Sequence, residues 1–173
     1  NNGDKFGADD VIFTFNQWMD KDVGSSMKGM IGAYLPANGI EKVNDYQVKL
    51  HLSTPEIAVP EHLFHYPAMI LNHRTFKGDF IKAPHGTGPY TLESYVEGER
   101  CVLKRSEDYW KKDADGSQLP YIDKIEYIDM GTEMTPMIAA LKSGEIDSID
   151  FSDLGGTEAF QSLKKDSSVN VYG

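Results

Sequence analysis

The stretch HGTGPYTLESYVEGERCVLKRSEDYW, from His85 to Trp110, decides the fold that this sequence predicts. It opens on a Gly-Thr-Gly-Pro turn, whose glycines and proline favour a sharp change in backbone direction. Polar and apolar residues then alternate in two runs that Glu-Gly-Glu separates, a pattern typical of a β-hairpin. We therefore predict two paired strands, from Tyr90 to Val96 and from Arg100 to Ser106, anchored by the aromatic residues around them.

The sequence before this stretch predicts a helix and an earlier hairpin. Residues 8–20 carry apolar side chains at helical spacing, and the acidic residues of the first turn complement the helix dipole. From Ile40 the apolar spacing changes to two, which predicts a hairpin that turns at Asn44 and Asp45. Between and beyond them we expect a loop over 22–32, a short helix over 54–65 that Pro60 kinks or divides, and a short buried strand over 68–71.

The sequence after the hairpin alternates strands and helices. A polar loop leads to a strand over 124–130, and a helix follows with Thr135 as its cap, Pro136 at its first position and Gly144 at its end. We expect the remaining elements to be a strand over 145–151, a helix over 157–165 and a strand over 169–172. Hairpins that flank β–α–β units predict an α/β or mixed α+β domain with a mixed sheet.

Composition limits the classes of function that this chain could serve. The 173 residues are 40% hydrophobic, which is enough for a core, and 27 acidic residues outnumber 17 basic ones. A formal net charge of −10 argues against nucleic acid as a partner, because binding to the phosphate backbone needs clustered Lys and Arg. The single cysteine, Cys101, excludes an internal disulfide and is expected to lie on a half-buried strand.

The histidines and glycines are the candidates for metal-binding and phosphate-binding sites. His62 and His65 lie three residues apart and could share a helix face as metal ligands, but the metalloprotease pattern is absent and two surface imidazoles are the favoured interpretation. The Gly86 to Gly88 turn precedes a strand and carries no phosphate-loop lysine. No nucleophile elbow or calcium loop fits the sequence. We therefore predict no catalytic residues, no metal and no cofactor.

Five segments follow one another in an order that resembles a known family. They are NGDKFGADDVIFTF (2–15), VNDYQVKLHLSTP (43–55), the stretch from Gly86 to Trp110, LPYIDKIEYIDM (119–130) and ALKSGEIDSID (140–150). Together they resemble the extracellular solute-binding proteins of the peptide, opine and nickel class, family 5, which serve ABC importers. One position departs from the family pattern, because Gly7 stands where a helix-capping threonine is usual, and a weaker cap is expected.

The resemblance implies a fold, a place in the cell and partners. The fold would be a periplasmic-binding-protein type II-like lobe, and residues 1–173 would form part of the first of two lobes, with a subdomain boundary near 84/85. Both ends of the chain suggest an excised piece, so that the second lobe and the targeting segment would lie outside it. The whole protein would be periplasmic or on the cell surface, with a lipid anchor as one option. It would deliver an oligopeptide, opine or metal-chelate ligand to ABC permease subunits by hinge closure.

The expected ligand-binding positions follow from the place of the cleft in two-lobed receptors. Such ligands bind on loops at the ends of strands and helices. On that basis we expect His65, Tyr66 and Phe151 to face the cleft, although core packing is the favoured interpretation of Tyr66 and an alternative for Phe151. Two rival functions stay open at this point, a metal-dependent hydrolase that uses His62 and His65, and a sensor or interaction module built on the same lobe.

Overall fold

A computed structural model of the chain describes residues 2–150 and 157–172. The chain divides into two compact units, which are described separately below. The first comprises Asn1–Tyr95 and Val102–Ile125, and the second comprises Val96–Cys101 and Glu126–Gly173.

The described residues form five helices and five strands. In chain order they are α1 (Ala8–Met19), α2 (Ser26–Ile31), β1 (Ile40–Asn44), β2 (Gln47–Leu50), α3 (Val59–Phe64), β3 (Tyr90–Val96), β4 (Arg100–Arg105), β5 (Lys124–Ile128), α4 (Met134–Ser143) and α5 (Thr157–Leu163). The mixture of helices and short sheets confirms the predicted fold class. Within the described residues, no helix has the length and apolar character needed to cross a membrane.

Helix α1 is the amphipathic helix that the sequence predicts. Phe15 and Trp18 are buried on its apolar face, with ring centroids 4.6 Å apart. The N-terminal end of α1 is polar. The Asp10 carboxylate there accepts the backbone N–H of Gly7 at 2.9 Å, which fixes the start of the helix. Gly7 has no side chain to cap the helix, so this reciprocal contact from Asp10 is what satisfies the Gly7 amide.

The core of the first unit is completed by a helix where the sequence analysis expected a loop. Helix α2 begins after Ser25, whose hydroxyl accepts the Met27 amide at 3.3 Å as an N-cap. The side chains of Met27 and Ile31 are 0% and 1% exposed, and they pack with α1 and with Tyr34. The loop expectation for 22–32 was therefore wrong at 26–31, because tertiary packing overrides the low helix propensity of its glycines.

The first hairpin forms as predicted, but its turn lies at Asp45 and Tyr46, one residue later than the sequence indicates. β1 and β2 pair antiparallel, with Ile40 opposite Leu50, and the register shifts between Lys42 and Asn44. Ile40 and Leu50 pack against the core, which orients the hairpin. Tyr46 continues the alternating apolar spacing of β2, yet it lies in the turn and is 75% exposed.

The segment after this hairpin departs from its predicted elements. Helix α3 begins only at Val59, so Pro60 lies in its first turn, where its missing N–H costs nothing, and does not divide the helix. Residues 68–71 form no strand. Leu71 is nevertheless buried, and its backbone N–H donates to the Thr14 hydroxyl at 2.8 Å, a side-chain bond that takes the place of a strand partner.

The second hairpin is also confirmed, and β4 is the middle strand of the order β3-β4-β5. The three-residue connection from β3 to β4 requires antiparallel pairing. Arg105 N–H donates to Asp123 O, and Asp129 N–H donates to Glu99 O. The end of β4 therefore lies beside the start of β5, and the start of β4 lies beside the end of β5, so these two strands are also antiparallel.

The second unit contains α4 and α5. Helix α4 begins at Met134 with Glu133 as its N-cap, so the expected cap at Thr135 is wrong, and Pro136 is its third residue. Its end is as expected, because Gly144 adopts φ 76°, a left-handed conformation that glycine reaches without strain. No strand forms over 145–150 or 169–172, and Phe151 lies outside the described residues. The parallel pairing that those strands would have added is therefore missing from the described part.

Candidate functional site

The first unit carries an open groove with a cavity volume of about 630 Å³. Its lining comes from three separated segments and several single side chains. These are residues of 2–6, 69–72 and 83–88, together with Asp10, Phe76, Phe80, Ile81 and Leu92. Phe80 and Ile81 are each about half exposed, so the groove offers an accessible apolar wall. A volume of this size is typical of sites for small organic ligands.

The turn from Gly86 to Gly88 forms part of the groove lining. Neither glycine adopts a positive φ, so backbone strain does not explain them. A Cβ built on Gly88 would meet no heavy atom within 4 Å. Glycine therefore leaves the backbone of this wall uncovered, and Thr87 between the two glycines is exposed. The sequence predicts only a sharp turn here and gives no sign that the turn lines a groove.

The polar end of the groove is organised by Asp10, which is only 3% exposed. Its Oδ1 accepts the backbone N–H of His73 at 3.1 Å and lies 2.8 Å from His73 Nδ1, while its Oδ2 accepts from Gly7. Burial alone would raise the pKa of Asp10, but the hydrogen bonds from His73 and Gly7 outweigh it and hold the pKa below its ordinary value of 3.8. Arg74 Nη1 lies 4.0 Å from the same carboxylate.

Two further contacts connect the walls near this end. Asn72 donates its amide to the Asp4 carboxylate at 2.9 Å, and this bond together with one from Asn2 lowers the pKa of Asp4. Arg74 donates from Nη1 to the backbone carbonyl of Lys5 at 3.2 Å. The 2–7 and 71–74 segments, more than 60 residues apart in the chain, are thus joined by polar contacts.

The positions predicted from the sequence lie elsewhere or outside the description. His65 is exposed at the end of α3, and its ring centroid lies 4.8 Å from that of Tyr66. Tyr66 is 81% exposed, so the favoured interpretation of core packing was wrong. Phe64 beside them is 92% exposed. The third predicted residue, Phe151, lies outside the described residues. His65 and Tyr66 stay predictions as ligand contacts.

His62 and His65, which could share a helix face as metal ligands, lie in different surroundings. His62 is half-buried, its ring stacks on Tyr34 with centroids 5.7 Å apart, and its Nδ1 lies 2.9 Å from the Tyr34 hydroxyl. His62 therefore fixes α3 to the core and is not the surface imidazole that we expected. Among residues 2–150 and 157–172, no group of three or more His, Cys, Asp or Glu side chains is placed to hold a metal ion.

The chain has the mixed helices and sheets of a periplasmic-binding-protein type II-like fold. Its fold is similar to that of an ABC transporter-associated periplasmic binding protein, DppA from Helicobacter pylori, solved in complex with the peptide STSA. The TM-score is 0.73 with 25% identity, over 94% of this chain and 34% of that chain.

The sequence identifies the family. Residues 1–173 match the bacterial extracellular solute-binding proteins, family 5 Middle, and the chain belongs to that family. It is 26% identical over 161 residues to a probable ABC transporter periplasmic-binding protein, SapA from Escherichia coli K12, covering 83% of this chain and 28% of SapA. It is also 26% identical over 177 residues to the oligopeptide-binding protein AppA from Bacillus subtilis, covering 94% of this chain and 30% of AppA. The chain thus spans less than a third of the length of these relatives.

Proposed function

We propose that this chain is part of a receptor that captures a peptide or a similar solute outside the cytoplasmic membrane and delivers it to an ABC permease. The observation that carries the proposal is the groove, which combines an apolar wall with an uncovered backbone turn in a chain of the extracellular solute-binding family. The receptor would act by binding and not by catalysis, with closure of two lobes around the ligand as the state that the permease recognises.

The chemistry of the groove favours a peptide over a small inorganic ligand. Phe76, Phe80 and Ile81 offer apolar surface that accepts many side chains without selecting one. The exposed backbone around Thr87 and Gly88 offers hydrogen-bonding groups of the kind that pair with a peptide main chain. Main-chain recognition combined with tolerant apolar walls suits a transporter that accepts peptides of varied sequence.

The exposed aromatic pair of His65 and Tyr66 is proposed as a second contact for the same ligand. Large exposed apolar side chains are unusual on a soluble surface when they occur together, and Phe64 adds to this patch. His65 carries both an aromatic face and hydrogen-bonding nitrogens, so it could contact a peptide by stacking and by donation. We also propose Phe151 as a contact for this ligand.

The test measures peptide affinity by isothermal titration calorimetry in the receptor expressed from its whole gene, with tri-alanine and a mixed tripeptide pool as probes. Gly88→Val places a branched side chain on the groove wall and should weaken binding at least about tenfold, because it covers the backbone and fills the cavity. Gly29→Val is the matched control, since a Cβ at Gly29 also meets no heavy atom within 4 Å and Gly29 does not line the groove.

Three results would overturn the proposal. If the Gly88→Val and Gly29→Val receptors bound peptide with equal affinity, the groove would not be the peptide site. If the receptor bound agropinic acid or a nickel complex and responded to no peptide, its ligand would not be a peptide. Release of a modified product from the peptide would show that the protein is an enzyme. Tyr66→Ala, measured alongside, should cause a smaller loss than Gly88→Val.

A further inference from the structure

Two segments form the walls at the polar end of the groove, and neither of them belongs to a helix or a strand. One is the segment before α1, and the other is the turn from Leu71 to Arg74. Segments of this kind keep a fixed position only where specific contacts hold them. Asn72 and Arg74 bond directly to Asp4 and to the Lys5 carbonyl, and the other contacts between the walls pass through Asp10 and Thr14 of α1.

The carboxylate of Asp10 bonds to both walls at once. Oδ2 accepts from the Gly7 amide at 2.9 Å in one wall, and Oδ1 accepts from the His73 amide at 3.1 Å and lies 2.8 Å from His73 Nδ1 in the other. One turn later, the Thr14 hydroxyl donates to Asp10 O at 2.7 Å and accepts from Leu71 N–H at 2.8 Å. Thr14 is fully buried, so the Leu71 position is also tied to α1.

A neutral isostere cannot make the same set of bonds. The carboxylate presents an acceptor oxygen to each wall, whereas an asparagine amide presents one oxygen and one NH₂ donor. Asn at this position can accept from His73 or from Gly7, and its NH₂ group then faces another N–H. An unsatisfied donor of this kind in a buried place is costly, so one wall must move.

We infer that Asp10 is a positioning residue for the proposed ligand groove, holding Gly7 and His73 so that the two walls keep their spacing. The inference deepens the proposed function and rests on it for its consequence in ligand binding. The arrangement of the walls themselves does not depend on what the groove binds.

The adjacent residue supplies a matched control. Asp9 lies in the same helical turn and carries the same charge, but it is exposed and pairs with Lys42 at 2.9 Å. Asp9→Asn and Asp10→Asn remove the same charge from the same helix end, so they share any effect on the helix dipole. Only Asp10→Asn removes an acceptor from between the walls.

The first test is amide hydrogen exchange by NMR on the 173-residue chain, with no ligand present. Asp10→Asn should accelerate exchange at Gly7, Leu71 and His73 at least about tenfold, while Asp9→Asn leaves these amides within about twofold of wild type. His73→Ala, which keeps the carboxylate, should accelerate exchange at His73 alone and serves if Asp10→Asn fails to fold. Equal exchange in the Asp9 and Asp10 variants, or unchanged exchange in His73→Ala, would overturn the inference.

The second test is a pH profile. The titratable or charged groups that face Asp10 from the opposite wall are His73 and Arg74, and Asp4 and Lys5 lie in the wall before α1. Because the folded-state pKa of Asp10 lies below 3.8, the stabilisation by its carboxylate is present above that pH and is lost as the pH falls through the folded value. The Tm of the wild type should therefore exceed that of Asp10→Asn above this pH, and the difference should disappear as the pH falls through the folded-state pKa of Asp10. A Tm difference that persists at lower pH would contradict the inference.

The last measurement separates this inference from the proposed function. In the whole receptor, Asp10→Asn should weaken tri-alanine binding about tenfold, and Asp9→Asn should not. Altered amide exchange without altered peptide affinity would show that Asp10 holds the walls but that the groove is not the ligand site. Unaltered exchange together with weaker binding would show that Asp10 acts on the ligand by another route, and would overturn the positioning role.

Discussion

Gly7 shows why the residue with the better capping propensity does not always fit a helix N-terminus. A threonine at this position would supply the side-chain acceptor that a helix N-terminus favours, so the glycine suggested a weaker cap. In the structure, a Cβ on Gly7 would lie 2.8 Å from the backbone carbonyl oxygen of Asp45. That carbonyl also accepts the Ala8 amide at 2.8 Å, so it cannot move away without breaking the bond. The glycine permits this close approach of the turn between β1 and β2.

We predict that Gly7→Thr destabilises the chain, although threonine is the better capping residue. Overpacking against a fixed backbone atom costs about 1–3 kcal/mol, which exceeds or equals the roughly 1 kcal/mol that a new cap contributes. The free energy of unfolding, from urea denaturation followed by circular dichroism, should fall by about 1 kcal/mol. Gly29→Ala is the control and should be neutral or slightly stabilising, since its site is open and helical. A Gly7→Thr chain that is more stable than wild type would contradict this prediction and show that the Asp45 carbonyl can move away from the new side chain.

At the scale of elements, sequence patterns found what local physics determines. Both hairpins, β5 and helices α1 and α4 follow from alternation or helical spacing, and the end of α4 follows from Gly144. Helix α2 was missed because it contains Gly29 and lies between Gly24 and Gly32, which lowers the helix propensity of 22–32, while the packing that stabilises it comes from α1. The groove was missed for a related reason, since its walls are far apart in the chain and only the fold brings them together.

We predict that α2 depends on its core contact more than on its cap. Met27 is 0% exposed, so Met27→Ala should lower the free energy of unfolding by about 2–5 kcal/mol, through lost apolar burial and the cavity left behind. Ser25→Ala removes only the capping oxygen and should cost about 1 kcal/mol. The control is Met69→Ala, because Met69 is 60% exposed and its loss should cost under about 0.5 kcal/mol. Equal losses at Met27 and Met69 in urea denaturation would contradict this account of α2.

At the scale of the whole molecule, the exposed apolar surface is the feature that calls for explanation. Besides Phe64 and Tyr66, the described residues expose Ile57 at 97% and Trp110 at 73%. Exposed apolar surface of this extent is typical of regions that contact a ligand or another part of a protein. The net charge of −10 helps to keep such a surface in solution.

We predict that the 173-residue chain by itself captures peptide poorly, because a two-lobed receptor gains affinity from contacts on both sides of its cleft. A ligand that binds the folded protein raises Tm by an amount that grows with the ratio of its concentration to Kd. Tri-alanine should therefore shift the Tm of the whole receptor by several degrees and that of the chain by less than about one degree. Differential scanning fluorimetry at matched peptide concentrations makes the comparison, with Gly88→Val receptor as the control for shifts unrelated to the groove. A shift in the isolated chain equal to that of the receptor would locate the binding energy within these residues and show that closure adds little to capture.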